Sequence, residues 1–157
     1  MIEQIYTYFT IEVIFMWLNL GVLPFWLVLI IFPQSQICRV FITSIFPVFI
    51  LSLAYGYLLY LFFNEGYDFI RNFKLYLGLG AVSNLFADKA FIILFWTHFL
   101  AMNLFCGGWI VKDSQMFGMN KFFVSLPLVI IYLIGPIGLT VYWIIRIFYA
   151  KRINLYE

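Results

Sequence analysis

Four long apolar runs, separated by short polar segments, limit what this chain can fold into. These runs cover about residues 11–32, 40–63, 89–111 and 122–150. Roughly 20 apolar residues in a helix cross the ~30 Å hydrocarbon core of a bilayer. Only 10% of the residues are charged, whereas a soluble domain carries roughly 25%. The pattern predicts an all-α integral membrane protein, with four helices bundled into a single membrane domain, residues 1–157.

The segment between the second and third runs has a different character. Between residues 64 and 88, charged residues such as Asp68 and Arg71 are interleaved with apolar ones such as Phe69 and Ile70. This mixture is typical of an amphipathic helix that lies in the membrane interface. We therefore expect a short interfacial helix between the second and third spans.

Basic residues predict the orientation of the four spans. The side with both termini and the 64–89 loop would hold six of them: Arg71, Lys74, Lys89, Arg146, Lys151 and Arg152. The opposite side would hold three: Arg39, Lys112 and Lys121. Because positive charge favours the cytoplasmic side, both termini are predicted to be cytoplasmic, in a bacterial inner membrane or a plastid-type membrane. Arg146 lies near a helix end and is expected to snorkel to the interface, with binding of a lipid headgroup as the alternative.

Composition also restricts the partners. Cys38 and Cys106 lie in separate apolar runs and His98 is the single histidine, so a zinc site is not expected. The net charge of +2 does not suggest a nucleic-acid partner. We expect the chain to contact membrane lipid, and both a homo-oligomer and a place in a larger membrane complex stay open.

The third run contains most of the polar chemistry. An imidazole near the bilayer centre is costly, so His98 is expected to need a partner. It could transfer a proton, ligate a cofactor or hold a substrate, or it could only link two helices. Asn103 and Asn19 allow the same two interpretations. Without a pair of intramembrane carboxylates, acid–base chemistry would depend on His98, which suits an isomerisation better than a hydrolysis.

The fourth run is interrupted by Gly135-Pro136-Ile137-Gly138. Pro136 cannot donate a backbone hydrogen bond, and the two glycines allow close approach of another helix. The break could shape a concave site, or it could be a kink that only serves packing.

Several motifs occur in an order that resembles the abscisic-acid-deficient-four-like family, whose plant members are described as neoxanthin synthases. The matching segments span nearly the whole chain: Asn19 to Trp26, Trp96 to Ala101, Leu104-Phe105, Gly107-x-Trp109-Ile110 and Gly135 to Leu139. The resemblance implies a helical membrane protein of carotenoid metabolism. The associated reaction opens a 5,6-epoxide of violaxanthin and creates an allene, which requires an acid and a base but no redox cofactor.

From this resemblance we predict that His98 is catalytic, that no cofactor or metal is bound, and that a carotenoid or related isoprenoid is the ligand. The residues predicted to contact the ligand are Asn19, Trp26, Trp96, Asn103, Trp109 and Pro136. The chain departs from the family at two positions. Asn103 stands where the family signature has an aspartate, and Gly108 where the family often has an arginine.

Three functions stay open at this point. The first is an enzyme that opens an epoxide or otherwise isomerises a carotenoid. The second is a non-catalytic membrane subunit that binds pigment, quinone or lipid, or that packs in a larger complex. The non-titrating amide of Asn103 favours this second function. The third is a small transporter or channel, against which the lack of intramembrane charge and of an internal repeat argues.

Overall fold

The computed structural model describes residues 9–151, and every regular element in that range is helical. In chain order these are α1 (Ile11–Ile31), a π-helical turn (Cys38–Ile42), α2 (Phe46–Asn64), a 3-10 helix (Phe69–Leu77), α3 (Leu79–Leu85), α4 (Lys89–Met116), α5 (Lys121–Ile134) and α6 (Pro136–Ala150). By length and apolarity, α1, α2 and α4 could each cross a membrane. The chain is therefore a helical membrane protein.

The first three predicted spans correspond to these three helices, but the second begins later than predicted. The segment Cys38–Ile42 forms a π-helical turn, and α2 begins only at Phe46. Pro47 is the second residue of α2, where its missing N–H removes no intrahelical hydrogen bond. The proline thus lies at the start of the span, which begins at Phe46, six residues after the predicted start at Val40.

The predicted short helix between the second and third spans is present as two pieces, the 3-10 helix and α3. The side chain of Asp68 begins the first piece by accepting a hydrogen bond from the backbone N–H of Ile70 at 3.0 Å. Large apolar side chains on the 3-10 helix are exposed, including Ile70 (78%), Phe73 (71%) and Tyr76 (86%). This exposed apolar surface fits the predicted interfacial position.

The predicted fourth span is not one helix. Helix α5 ends at Ile134 and α6 begins at Pro136, with Gly135 between them at a φ of 63°. A positive φ is accessible to glycine without steric cost, and Pro136 has no N–H with which to continue α5. Residues 122–150 therefore do not form one continuous helix, and a four-helix bundle is not confirmed.

Helices α5 and α6 fold back on each other as a hairpin. A Cβ placed on Gly138 would lie 2.4 Å from the backbone nitrogen of Ile131 and 2.7 Å from the carbonyl oxygen of Pro127. In a continuous helix, residues eleven positions apart would be separated by about 16 Å. Nearer the open end, the rings of Phe123 and Tyr149 are 6.1 Å apart. Only a glycine at position 138 permits this close packing.

The hairpin packs beside the end of α1 and the second half of α4. The Ser125 hydroxyl donates to the carbonyl oxygen of Ile30 at 2.6 Å, and Trp26 packs edge-on against Tyr132. The arms contain 14 and 15 residues, which makes each about 21–23 Å long. Neither arm matches the ~30 Å core of a bilayer.

Packing divides the chain into two compact units. The first is formed by Met1–Gly21 and Ile50–Ala101, and the second by Val22–Phe49 and Met102–Glu157. The predicted single membrane domain stays a prediction. Of the predicted site residues, the first unit holds Asn19, Trp96 and His98, and the second holds Trp26, Asn103, Trp109 and Pro136.

Candidate functional site

A buried cluster of polar residues joins the hairpin to α4 in the second unit. The Asp113 carboxylate accepts hydrogen bonds from Arg146 Nε at 2.8 Å, from Arg146 Nη2 at 3.2 Å and from the Tyr142 hydroxyl at 2.6 Å. Asp113 is 4% exposed, and Arg146 and Tyr142 are fully buried. The two-point contact between guanidinium and carboxylate is the strong geometry for such a pair.

The expectation that Arg146 snorkels is therefore wrong. Its guanidinium lies over the rings of Phe117 and Trp143, at 5.1 and 5.5 Å from their centroids. Because α6 turns back, Arg146 meets the end of α4 instead of a free interface. The charges are paired and enclosed, so this cluster clamps the hairpin and leaves no room for a substrate.

The turn of the hairpin meets the middle of α4 at Asn103. A Cβ placed on Gly135 would lie 3.1 Å from Asn103 Oδ1, so the amide lies directly against the turn. Asn103 is partly buried and makes no hydrogen bond within residues 9–151. Pro136 follows as the first residue of α6 and is exposed. Two of the predicted ligand contacts thus lie close together.

An open groove of about 320 Å³ lies between the segment around the start of α2 and the second half of α4. Its lining is mainly apolar: Ile42, Ile45, Val48, Leu104, Phe105 and Trp109. Gly108 lines it as well, and a Cβ there would meet its nearest neighbours, Ile42 O and Thr43 Cα, only at 3.8 Å. We call this cavity the apolar groove.

A second cavity, of about 490 Å³, shares part of this lining. Its residues are Arg39, Val40, Thr43, Ser44, Lys112, Gln115 and Met116. Thr43, Ser44 and Lys112 line both cavities. We call this second cavity the basic pocket. An apolar groove with a cationic, hydroxyl-bearing mouth suits an amphipathic ligand.

In the first unit, Trp96 and Asn19 are brought together. Trp96 Nε1 donates to Asn19 Oδ1 at 3.1 Å, and Asn19 Nδ2 donates to the carbonyl oxygen of Phe15 at 2.7 Å. The Trp96 ring also packs on Phe15 and Phe99. Both amide atoms of Asn19 are therefore engaged within the first unit.

His98 is exposed on α4 and makes no hydrogen bond with any residue of 9–151. An imidazole inside an apolar run is expected to have a hydrogen-bonding partner. Residues 9–151 do not supply one. The imidazole is open to a ligand or another helix. Its predicted catalytic role stays a prediction.

The remaining predicted contacts differ in how open they are. Trp26 is 2% exposed, and its ring lies 3.0 Å from where a Cβ on Gly107 would sit, so it is a packed core residue. Trp109 lines the apolar groove while packing edge-on against Tyr142.

Burial raises the pKa of Cys38 to about 11, which keeps this thiol protonated and unreactive.

Sequence analysis missed the residues that form the mouth shared by the two cavities. Thr43 and Ser44 were assigned to the interior of the second span, where a hydroxyl commonly bonds to its own helix. They do so here, since Thr43 donates to Arg39 O and Ser44 to Phe41 O. The signal that could have found them is the grouping of two hydroxyls after Arg39 and before Pro47.

These features define a class: a helical membrane protein with an open apolar groove and a buried ion pair that clamps a helical hairpin. Residues 13–142 match the family described as ABA DEFICIENT 4-like (ABA4-like). The chain belongs to the ABA4-like family, in agreement with the resemblance noted in its motifs. Neither a curated protein nor a solved structure matches it.

Proposed function

We propose that this protein binds a carotenoid or related isoprenoid within the membrane, with one end of the ligand held in the apolar groove. The observation that carries the proposal is the groove itself, about 320 Å³ and lined mainly by aliphatic and aromatic side chains. This volume lies at the lower end of the range for small-molecule sites. Membership of the ABA4-like family supports an isoprenoid as the ligand class.

The chemistry of the lining fits such a ligand. Phe105 and Trp109 offer aromatic surface to a polyene, and Ile42 and Val48 offer aliphatic surface. The hydroxyls of Thr43 and Ser44 at one end can accept a hydrogen bond from a hydroxylated ring. Because the groove is open, a long chain can extend into the surrounding lipid while one end group is held.

Replacing Gly108 by leucine is expected to reduce pigment binding about tenfold. The added side chain would project into the groove from its buried wall, and overpacking costs about 1–3 kcal/mol, where 1.4 kcal/mol corresponds to a factor of ten. The measurement is the pigment absorbance per mole of protein purified from a carotenoid-producing bacterial host. Gly21→Leu is the matched control, because a Cβ on Gly21 meets nothing within 4 Å.

Wild-type protein that carries pigment, with loss in Gly108→Leu and retention in Gly21→Leu, supports binding in the groove. If wild-type protein carries no pigment, or if both variants retain it equally, the groove is not the binding site. Both variants are compared at equal yield of folded, monodisperse protein.

A second candidate function is a cofactor-free isomerisation in which His98 transfers the proton. The observation in its favour is an exposed imidazole that has no hydrogen-bonding partner among residues 9–151 and lies in the mainly apolar part of α4. Such a base can take a proton from a polyene, and its conjugate acid can protonate an epoxide oxygen. A carboxylate at position 103 would have offered a second titrating group, which Asn103 does not.

Expression in a violaxanthin-accumulating host tests this second function. If His98 is catalytic, the wild-type protein yields an allenic or isomerised product and His98→Ala lowers it by at least about 100-fold, the usual contribution of a general acid or base. The control is Met102→Ala, a neighbouring exposed residue of α4 without a titrating group. An unchanged pigment profile with well-expressed wild-type protein would reject the enzyme and leave the binding function.

A further inference from the structure

Two cations line the basic pocket without a carboxylate partner. Arg39 and Lys112 are exposed, and neither forms an ion pair with any residue of 9–151. The adjacent carboxylate, Asp113, is buried and already held by Arg146 and Tyr142. The pocket therefore has a net positive charge that the residues of the second unit up to 151 do not neutralise.

The groups around these cations suit a phosphate. A guanidinium offers several donors in a fixed fork and an ammonium offers a compact charge, and both are common phosphate ligands. The hydroxyls of Thr43 and Ser44 on the same wall already donate to backbone carbonyls, so the further donor there is the amide of Gln115. The amide nitrogen of Gln115 donates to the carbonyl oxygen of Pro33 at 2.6 Å, which fixes the side chain in place.

The position of the pocket along α4 indicates where the anion comes from. The apolar part of α4 ends at Val111, and Lys112 is the next residue. From residue 90 to 111 the helix rises about 33 Å, which matches the ~30 Å hydrocarbon core. Lys112 is thus placed at the level where lipid phosphates lie.

The basic pocket is also continuous with an apolar surface. It shares Thr43, Ser44 and Lys112 with the apolar groove. A ligand with a negative head and a hydrocarbon chain can place its head between the cations and its chain along the protein surface. A free anion would bind between the cations but would make no use of the apolar surface.

We propose that the basic pocket binds the phosphate of an anionic phospholipid taken from the surrounding bilayer, with Arg39 and Lys112 as its two cationic ligands. The site shares Thr43, Ser44 and Lys112 with the isoprenoid groove, but binding of the phosphate does not require that the groove hold an isoprenoid. The bound lipid would lie beside the mouth of that groove.

Thermal unfolding of the purified protein in neutral detergent tests the proposal. Phosphatidylglycerol is titrated in, with phosphatidylcholine as the zwitterionic comparison, and the midpoint is followed by tryptophan fluorescence. Wild-type protein should be stabilised by phosphatidylglycerol only, and Arg39→Gln/Lys112→Gln should need about tenfold more of it. Lys121→Gln, a cation at the same end of the second unit that does not line the pocket, should behave as wild type.

Three results would overturn the proposal. Equal stabilisation of the double variant and the wild type would show that the lipid binds elsewhere. Equal stabilisation by phosphatidylcholine would show that the anion is not recognised. Stabilisation by inorganic phosphate at the same concentration would indicate a soluble anion instead of a lipid. Pigment content is measured on the single variant Arg39→Gln, whose residue lines the basic pocket and not the groove. This variant should need more phosphatidylglycerol than the wild type and should retain pigment.

Discussion

Replacing Asp113 by leucine is expected to unfold the hairpin and to remove most of the folded protein. The substitution would leave the guanidinium of Arg146 fully buried without its carboxylate, and the Tyr142 hydroxyl without its acceptor. Removing one partner of a buried ion pair costs about 3–5 kcal/mol, a large fraction of the stability of a small protein. The measurement is the yield of monodisperse protein in detergent, together with its thermal midpoint.

Two controls make the result specific to the pair. In Asp113→Leu/Arg146→Met both charges are removed, and we expect stability to return toward wild type because an apolar pair can replace a buried ion pair. Glu12→Leu breaks an exposed ion pair instead. Glu12 Oε1 and Lys89 Nζ are 2.8 Å apart, and their side chains are 66% and 76% exposed. We expect no measurable loss of stability in this variant. If Asp113→Leu is as stable as Glu12→Leu, the buried cluster does not clamp the hairpin.

The long spans could be predicted because a helix that crosses a bilayer must be long and apolar. Both properties can be read from the residues of that segment alone. Helices α1 and α4 begin and end close to the predicted limits. The hairpin could not be predicted in the same way, because residues 122–150 pass the same length test. What separates a kink from a reversal is the conformation of Gly135 and the contact of Gly138 with Ile131, and neither follows from hydropathy.

Of the residues predicted to be catalytic or to contact the ligand, Trp109 alone lines the apolar groove, and their roles stay predictions. A lone imidazole and a few amides in an apolar run stand out in any sequence, and His98 and Asn103 were found in that way. Their surroundings depend on which helices pack there. Arg146 shows the consequence, since its predicted snorkelling assumed a free helix end, whereas the reversal of α6 brings it to Asp113.

The path of the hairpin also predicts the position of the C-terminal end of α6. The predicted distribution of basic residues, six on one side of the membrane and three on the other, assumed that the chain crosses the membrane a fourth time. With α5 and α6 folded back, Lys151 follows the arm that returns to Asp113, at the end of α4 where the hairpin began. Among residues 9–151 that end then holds four exposed cations, namely Arg39, Lys112, Lys121 and Lys151. The segment from the loop after α2 to the first residue of α4 holds three cations, namely the half-buried Arg71 and the exposed Lys74 and Lys89.

We therefore expect Lys151 to lie on the same side of the membrane as the loop after α1, and on the opposite side from the loop after α2. In a Cys38→Ala/Cys106→Ala background, single cysteines at the exposed positions Gln36, Glu65 and Lys151 would be treated with a membrane-impermeant maleimide. Lys151→Cys and Gln36→Cys should react from one side, and Glu65→Cys from the other, with nearly all-or-none labelling.

The two topologies give opposite results for one residue. If Lys151→Cys reacts together with Glu65→Cys, the fourth run crosses the membrane and the hairpin is not the membrane form. If it reacts together with Gln36→Cys, the chain crosses three times and then enters the bilayer as a re-entrant hairpin. Because positive charge favours the cytoplasmic side, four cations against three predict that this side is cytoplasmic. The start of α1 would then face the opposite side, and the two ends of the described chain would be separated by the membrane.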